Sequence, residues 1–300
     1  MRGVVITQAL IQAVFTGFKA SFQKGFGNHT AQWQRIATLV PSATREEKYG
    51  WLGRLASMRE WIGDRVFNSL TTSDYAIKNR KFEGSYELER DDVSDDQVGI
   101  MAPFLEDLGQ TGAELPDRLV FEALRLGRTT LCFDGQNFFD TDHPGFTAAG
   151  AAVSWSNYQD GAGEPWYVMV TKRPLKPLIF QEREKVELQV LTDLNSPHVI
   201  LQDKFLYGNR GRCNAGYGFP QMAFCSRAAL TAENYEAAVK AIQTQYSEGG
   251  RSLNLTPDML VVGPNNRGAA KRLLERATVG GSDNEYYKDV DLLESPLVSA

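Results

Sequence analysis

The reading of the fold turns on residues 64–127, DRVFNSLTTSDYAIKNRKFEGSYELER (64–90) followed by DDVSDDQVGIMAPFLEDLGQTGAELPDRLVFEALRLG (91–127). In the first part the apolar residues include Val66, Tyr75, Ile77, Phe82, Tyr86 and Leu88, several at alternate positions, and Gly84 offers a bend. Alternation of this kind predicts an extended β-ribbon. The other positions carry Lys78, Arg80, Lys81, Glu83, Glu87, Glu89 and Arg90. A two-stranded ribbon is marginal in water and needs a surface to lie on. Nothing nearby in the sequence provides one.

In the second part the period lengthens to that of a helix. Val98, Met101, Leu105, Leu108, Leu115 and Leu119 mark one face of a long helix over 95–127. Ser94 and Gln97 have capping-box spacing, and Asp95 and Asp96 suit the positive end of the helix dipole. Pro116 is expected to kink this helix or divide it in two.

Upstream, Ile6, Leu10, Val14, Phe18 and Phe22 recur every fourth residue, which predicts an amphipathic helix ended by Gly25 and Gly27. Residues 1–45 hold Arg2, Lys19, Lys24, Arg35 and Arg45 and no acidic residue. The chain has a net charge of -5, so an arm of +5 precedes a body of -10. A basic arm ahead of an acidic body marks a segment that docks on something else: nucleic acid, a scaffold or a neighbouring copy. The acidic body argues against tight sequence-specific DNA binding, which needs a basic face.

Downstream, strands are expected at Trp166 to Val170 and Val186 to Leu191, with further strands over Phe205 to Phe224 interrupted by a Gly-rich loop at Gly208–Gly218. Thr231 caps a helix to Gln245, and Met259 to Val262 reads as a strand stopped by Gly263-Pro264, with a helix after it. Strands and helices mix without βαβ alternation, so the expected class is α+β. No apolar run approaches the roughly 20 residues that cross a bilayer, so no membrane is expected as a partner. The 3 cysteines, Cys132, Cys213 and Cys225, are spaced as buried apolar residues rather than as a disulfide or zinc set.

The most enzyme-like string is Asp140-Thr-Asp-His-Pro144. Two carboxylates beside a histidine suit metal binding or general acid–base work, as in a metal-dependent hydrolase. The same residues suit a tight turn, and His29 and His198 are the only other histidines. The turn reading is preferred, and no catalytic, cofactor-binding or metal-binding residue is assigned. The glycines at Gly208, Gly211, Gly216 and Gly218 lack the Gly-Lys-Ser/Thr ending of a phosphate loop.

Several segments resemble one family in order along the chain. They are Ile36-Ala-Thr-Leu-Val-Pro-Ser42, Tyr49-Gly-Trp-Leu-Gly53, Arg59-Glu-Trp-Ile-Gly-Asp-Arg65, Tyr75-Ala-Ile-Lys-Asn-Arg-Lys-Phe-Glu83 and Arg90-Asp-Asp92. Thr130-Leu-Cys-Phe-Asp-Gly135 and Phe138-Phe-Asp-Thr-Asp-His-Pro144 continue the series. In these the chain is similar to the major head subunits (gpT) of phage Mu and Mu-like prophages. The resemblance implies an HK97-like capsid fold: an N-terminal arm (1–50), an extended β-hairpin loop (64–90), a peripheral domain (51–63, 91–181 and 287–300) with a spine helix at 95–127, and an axial domain (182–286).

It also implies a self-assembling icosahedral shell around phage DNA, with pentamers and hexamers of the chain as partners. Scaffold and portal proteins, and weak non-specific contact with packaged DNA, complete the expected partners. The expected location is the virion, after assembly in the bacterial host cytoplasm. An encapsulin-like nanocompartment shell is the alternative. Lys78, Arg80, Lys81, Glu83, Glu87 and Glu89 are the expected inter-subunit contacts, since complementary charge fixes register between copies. Lys78 and Asn79 are adjacent in the loop, but no isopeptide cross-link is expected from them.

Overall fold

The computed structural model describes residues 7–50, 52, 75–94, 98–279 and 281–299. Helix α1 (Gln8–Asn28) comes first, its N-terminus capped by the Thr7 hydroxyl, which accepts from the Leu10 N–H. Strands β1 (Ala37–Pro41), β2 (Glu46–Lys48), β3 (Ala76–Lys78) and β4 (Arg80–Glu89) precede a single turn, α2 (Arg90–Ser94), and the 29-residue helix α3 (Val98–Leu126). Four short strands follow: β5 (His143–Phe146), β6 (Ala152–Trp155), β7 (Tyr158–Gln159) and β8 (Trp166–Met169). The 14-residue strands β9 (Leu178–Leu191) and β10 (Lys204–Tyr217) are joined through the short helix α4 (Pro197–Gln202). The remainder is β11 (Ala223–Ser226), α5 (Ala232–Gln243), β12 (Met259–Val262), α6 (Arg267–Leu274), β13 (Thr278–Val279), β14 (Ser282–Asp283) and β15 (Asp291–Glu294).

Two sheets organise these elements. One has the order β1-β9-β10-β4 and the other β15-β12-β8-β11-β7. The second is buried on both faces, which explains its unbroken apolar runs. Tyr167 and Met169 of β8 and Met259 and Val261 of β12 point into a core with Leu119, Val120, Phe121 and Leu124 of α3. Their neighbours Trp166, Val168, Leu260 and Val262 point the other way, onto Tyr235 and Ile242 of α5 and Ala270 and Leu274 of α6. A third core packs Ile11, Phe18 and Phe22 of α1 against Leu105 and Leu108 of α3 and Leu88, Phe205 and Tyr207 of the first sheet.

Four expectations are corrected. The ribbon expected over 64–90 does not pair with itself where it is described. Arg80–Glu89 instead runs antiparallel to β10, with Lys204 opposite Glu89 and Cys213 opposite Arg80. Alternation identifies a strand and its faces but not its partner, which here lies more than 100 residues downstream. The hairpin stem sits further upstream, where Glu46 pairs with Lys78 and Lys48 with Ala76. The part of the ribbon at 64–74 lies outside the described residues.

The arm helix is the second. Its stripe does not wait for a partner, because α3 and the first sheet of the same chain cover it. Third, α3 is one helix through both Pro103 and Pro116, so Pro116 does not divide it in two. Pro116 deletes one rung of the hydrogen-bond ladder, but Leu115, Leu119, Val120 and Phe121 around it are buried and hold the two halves together. The expected cap residues 95–97 lie outside the described residues. Fourth, the Gly-rich 208–218 stretch is strand, not loop, as far as Tyr217. Its glycines answer to close neighbours: a methyl on Gly216 would overlap Ile77, and one on Gly211 would press on Val186.

The expected boundary at 182 falls inside β9, and all of β9 and β10 belongs with the sheet on α3. The tail at 287–300 joins the other sheet through β15, which runs parallel to β12.

Candidate subunit interface

Strand geometry sorts the charges of β4. Side chains alternate across a strand, so Phe82, Tyr86 and Leu88 turn inward, while Lys81, Glu83, Glu87 and Glu89 turn to solvent. β10 supplies the next column of the same outer face, with Arg212 opposite Lys81, Arg210 opposite Glu83 and Lys204 opposite Glu89. β9 supplies the third, with Glu187 opposite Arg210 and Glu184 opposite Arg212. The result is a band of alternating charge across three strands of one chain.

Within the band, Lys204 Nζ donates to Glu87 at 2.8 Å, and Glu184 accepts from Arg210 at 2.5 Å and from Arg212 at 3.0 Å. Partial burial works to raise the Glu184 carboxyl, but the hydrogen bond from Arg212 and the charges of both arginines outweigh it and hold it below the ordinary carboxylate range. The hydrogen bond from Lys204 lowers Glu87 in the same way, and Glu87 raises Lys204.

All six residues expected at the interface are exposed. The structure brings four of them, Lys81, Glu83, Glu87 and Glu89, onto this one face. Arg80 points elsewhere, with its guanidinium over the Phe82 ring at 5.1 Å and 3.6 Å from Glu122 of α3. Lys78 sits on the hairpin stem opposite Glu46.

A buried polar knot beneath the stem carries no such local signal in the sequence. Gln181 is fully buried on β9, where its amide donates to the Ile77 carbonyl at 3.0 Å and to Asn79 Oδ1 at 2.9 Å, and its Oε1 accepts from the Tyr49 hydroxyl at 2.7 Å. Asn79 Nδ2 in turn donates to the Thr44 carbonyl and to the Ser42 hydroxyl. Glu47 accepts from the Ala43 and Thr44 backbone N–H groups and from the Ser42 and Thr44 hydroxyls, and its carboxyl is lowered by them, the Thr44 N–H first. The paired β2 and β3 are thus tied to the body by directed hydrogen bonds.

The enzyme-like string behaves as a turn. Asp140 accepts from the Asn137 side-chain amide at 2.9 Å and from the Thr141 N–H at 2.8 Å, and Asp142 is exposed. His143 is fully buried, with its Nδ1 2.7 Å from Asp134 and its ring stacked on Trp155. Among the described residues, the potential metal ligands that converge are Cys132, Asp134 and His143, within 4.8 Å of one another. Asp134 already accepts from the Cys132 thiol at 3.0 Å and the Gln136 N–H at 3.1 Å as well as facing His143. The three close a loop by satisfying one buried carboxylate. Burial pushes the Cys132 thiol well above its usual range, the state of an inert core cysteine.

The comparisons bear on the whole chain. The family model "Mu-like prophage major head subunit gpT" matches residues 11–298. The chain is 40% identical over 282 residues to the Mu-like prophage FluMu major head subunit of Haemophilus influenzae, covering 90% of each. It is 39% identical over 279 residues to the major capsid protein of Escherichia phage Mu, covering 91% of this chain and 92% of that protein. Among solved structures, the procapsid subunit of bacteriophage JBD30 superimposes with a TM-score of 0.85 at 38% identity, covering 97% of this chain and all of that one.

Proposed function

The chain belongs to the Mu-like prophage major head subunit gpT family, and from that premise we propose that it forms pentamers and hexamers that close into an icosahedral shell. It is a major capsid protein with an HK97-like fold, and its role is structural. The observation that carries the function is the match of nearly the whole chain, α1 to β15, to a phage procapsid subunit. Neither the encapsulin-like reading nor the metal-dependent hydrolase gains support from these relatives.

We assign the peripheral role to the four-stranded sheet with α3, and the axial role to the five-stranded sheet with α5 and α6. The extended loop is proposed to spring from the β2–β3 pair. Scaffold and portal proteins are proposed as assembly partners and the bacterial host cytoplasm as the place of assembly. The acidic body supports only weak, non-specific contact with packaged DNA, as suits a container wall. The exposed charges Lys78, Arg80, Lys81, Glu83, Glu87 and Glu89 are proposed to fix the register between neighbouring copies, since contacts that close into rings need directional bias.

Negative-stain microscopy of the purified full chain tests the reading. Shells, tubes or capsomer rings are the expected result. A chain that stays monomeric across concentration and salt would overturn it.

A further inference from the structure

β15 is an outer strand of the second sheet, paired on one side only, with β12. Its Asp291 N–H donates to the Asp258 carbonyl and the Ser295 N–H to the Val262 carbonyl, so these residues face β12. By alternation Leu292 and Glu294 turn their backbone groups outward, where among the described residues no further strand pairs with them. Their carbonyls are nevertheless taken. Both terminal nitrogens of Arg35 donate to the Leu292 carbonyl at 3.4 Å, and the Gln32 side-chain amide donates to the Glu294 carbonyl at 3.3 Å. Arg35 Nη2 also reaches Met259 Sδ on β12, at 3.3 Å.

An open sheet edge is a template for any extended chain, and proteins blunt such edges in recognisable ways. The other outer strands of the two main sheets carry their own devices. β7 is only 2 residues long, β1 ends in Pro41, which has no N–H to offer, and β4 is lined with Lys81, Glu83, Glu87 and Glu89. β15 reads Asp291-Leu-Leu-Glu294, and its two carboxylates are engaged elsewhere, Asp291 with Lys172 and Glu294 with Arg267 and Lys271. Its protection comes instead from a distant part of the chain.

We propose that Gln32 and Arg35 are a strap that closes the β15 edge to a further strand, and that docking of the arm holds the strap shut. The strap is the turn by which the chain leaves α1. Asp117 of α3 fixes it by accepting the Gln32 N–H at 3.0 Å and the Trp33 N–H at 2.6 Å, and the Trp33 ring is buried in the core beside it. The Gln32 and Arg35 side chains are half-buried, lying along the strand. Arm docking and edge protection are therefore one event. A chain whose arm has not docked presents β15 to the extended segments of other unfinished copies, and a chain whose arm has docked does not. The device acts on the single chain and does not depend on the shell reading.

The full chain carrying Gln32→Ala with Arg35→Ala tests this, each protein being held the same interval below its own melting temperature. Shells stay suspended at low centrifugal speed, so pelleted material with an intermolecular β-sheet band in the infrared reports pairing at an open edge. The double variant should lose soluble protein to such material about fivefold faster than the wild type, and Gln32→Ala alone, the milder change, should move the same way. Thr231→Ala removes the α5 cap, leaves the strap intact and so sets the loss that lowered stability alone produces. A double variant as soluble as the wild type would overturn the proposal. Loss no faster than that of Thr231→Ala, or a precipitate without the β-sheet band, would overturn it as well.

Discussion

The backbone of Gly25 in α1 lies directly against the carbonyl of Glu106 in α3, with no space for a β-carbon between them. Gly109 mirrors the contact from α3, against the carbonyl of Phe22. These two glycines let the helices meet at backbone distance, and Lys24 and Asn28 then donate to the Glu106 carboxylate at 2.9 Å and 3.1 Å. Replacing Gly25 by Ala adds helix propensity, a gain of about 1 kcal/mol. The overlap is with backbone, which cannot swing aside as a side chain can, and overpacking of this sort costs about 1–3 kcal/mol. Gly25→Val, larger and with a smaller propensity gain, is therefore expected to loosen the arm by about 3 kcal/mol. The check is faster tryptic cleavage after Lys19 and Lys24 together with a lower urea midpoint.

A single carboxylate receives the chain as it leaves the arm. Asp117 is buried on α3 and accepts the Gln32 N–H at 3.0 Å and the Trp33 N–H at 2.6 Å, with His29 Nε2 at 2.6 Å. Asp117→Ala leaves two backbone N–H groups without their acceptor, and each such loss costs about 1–3 kcal/mol. A total of about 3 kcal/mol is expected by chemical denaturation. Asp117→Asn, which keeps one acceptor oxygen in place, should recover part of it.

The Asp134 knot makes a prediction in pH. Burial works to raise its carboxyl, but hydrogen bonds from His143 and Cys132 outweigh it and hold the group below its ordinary value of 3.8. A folded-state value below the unfolded one means that the contribution to stability is complete above 3.8 and is lost as the pH falls below it. Asp134→Asn should therefore lower the urea midpoint at neutral pH, and its gap from the wild type should narrow steadily below about pH 4. A gap that is constant across that range would show that the knot is held by shape rather than by charge.

The legible parts of this fold are those whose signal is local. The α3 stripe, the Thr231 cap of α5, which accepts from the Asn234 N–H, and the buried run Met259–Val262 could all be read within a dozen residues. What could not be read is which surface meets which. β4 shows its faces by alternation, yet its partner Lys204–Cys213 is set by the closing of a sheet over a long stretch of chain. The arm shows an apolar stripe, but only the glycine pair on α1 and α3 reveals that the same chain covers it. The six charged residues expected at the interface are exposed, while the cations that face them across β10 were invisible from β4 alone.

That last point sharpens the test of the proposed contacts. Glu87 has an in-chain partner in Lys204, and exposed pairs of this kind add little to stability. Lys78, Arg80 and Lys81 are all exposed where β3 passes into β4, although their side chains do not share one face. Among the described residues their ion pair is the 3.6 Å approach of Arg80 to Glu122, with both side chains about half exposed. Reversing all three, K78E with R80E and K81E, should therefore change the thermal melt by no more than a few degrees. If the cluster steers copies into register, the same variant should form no normal shells, because like charge then opposes every contact at once. Electron microscopy reads the result directly: particles of normal size and yield would assign the three charges to a solvated face.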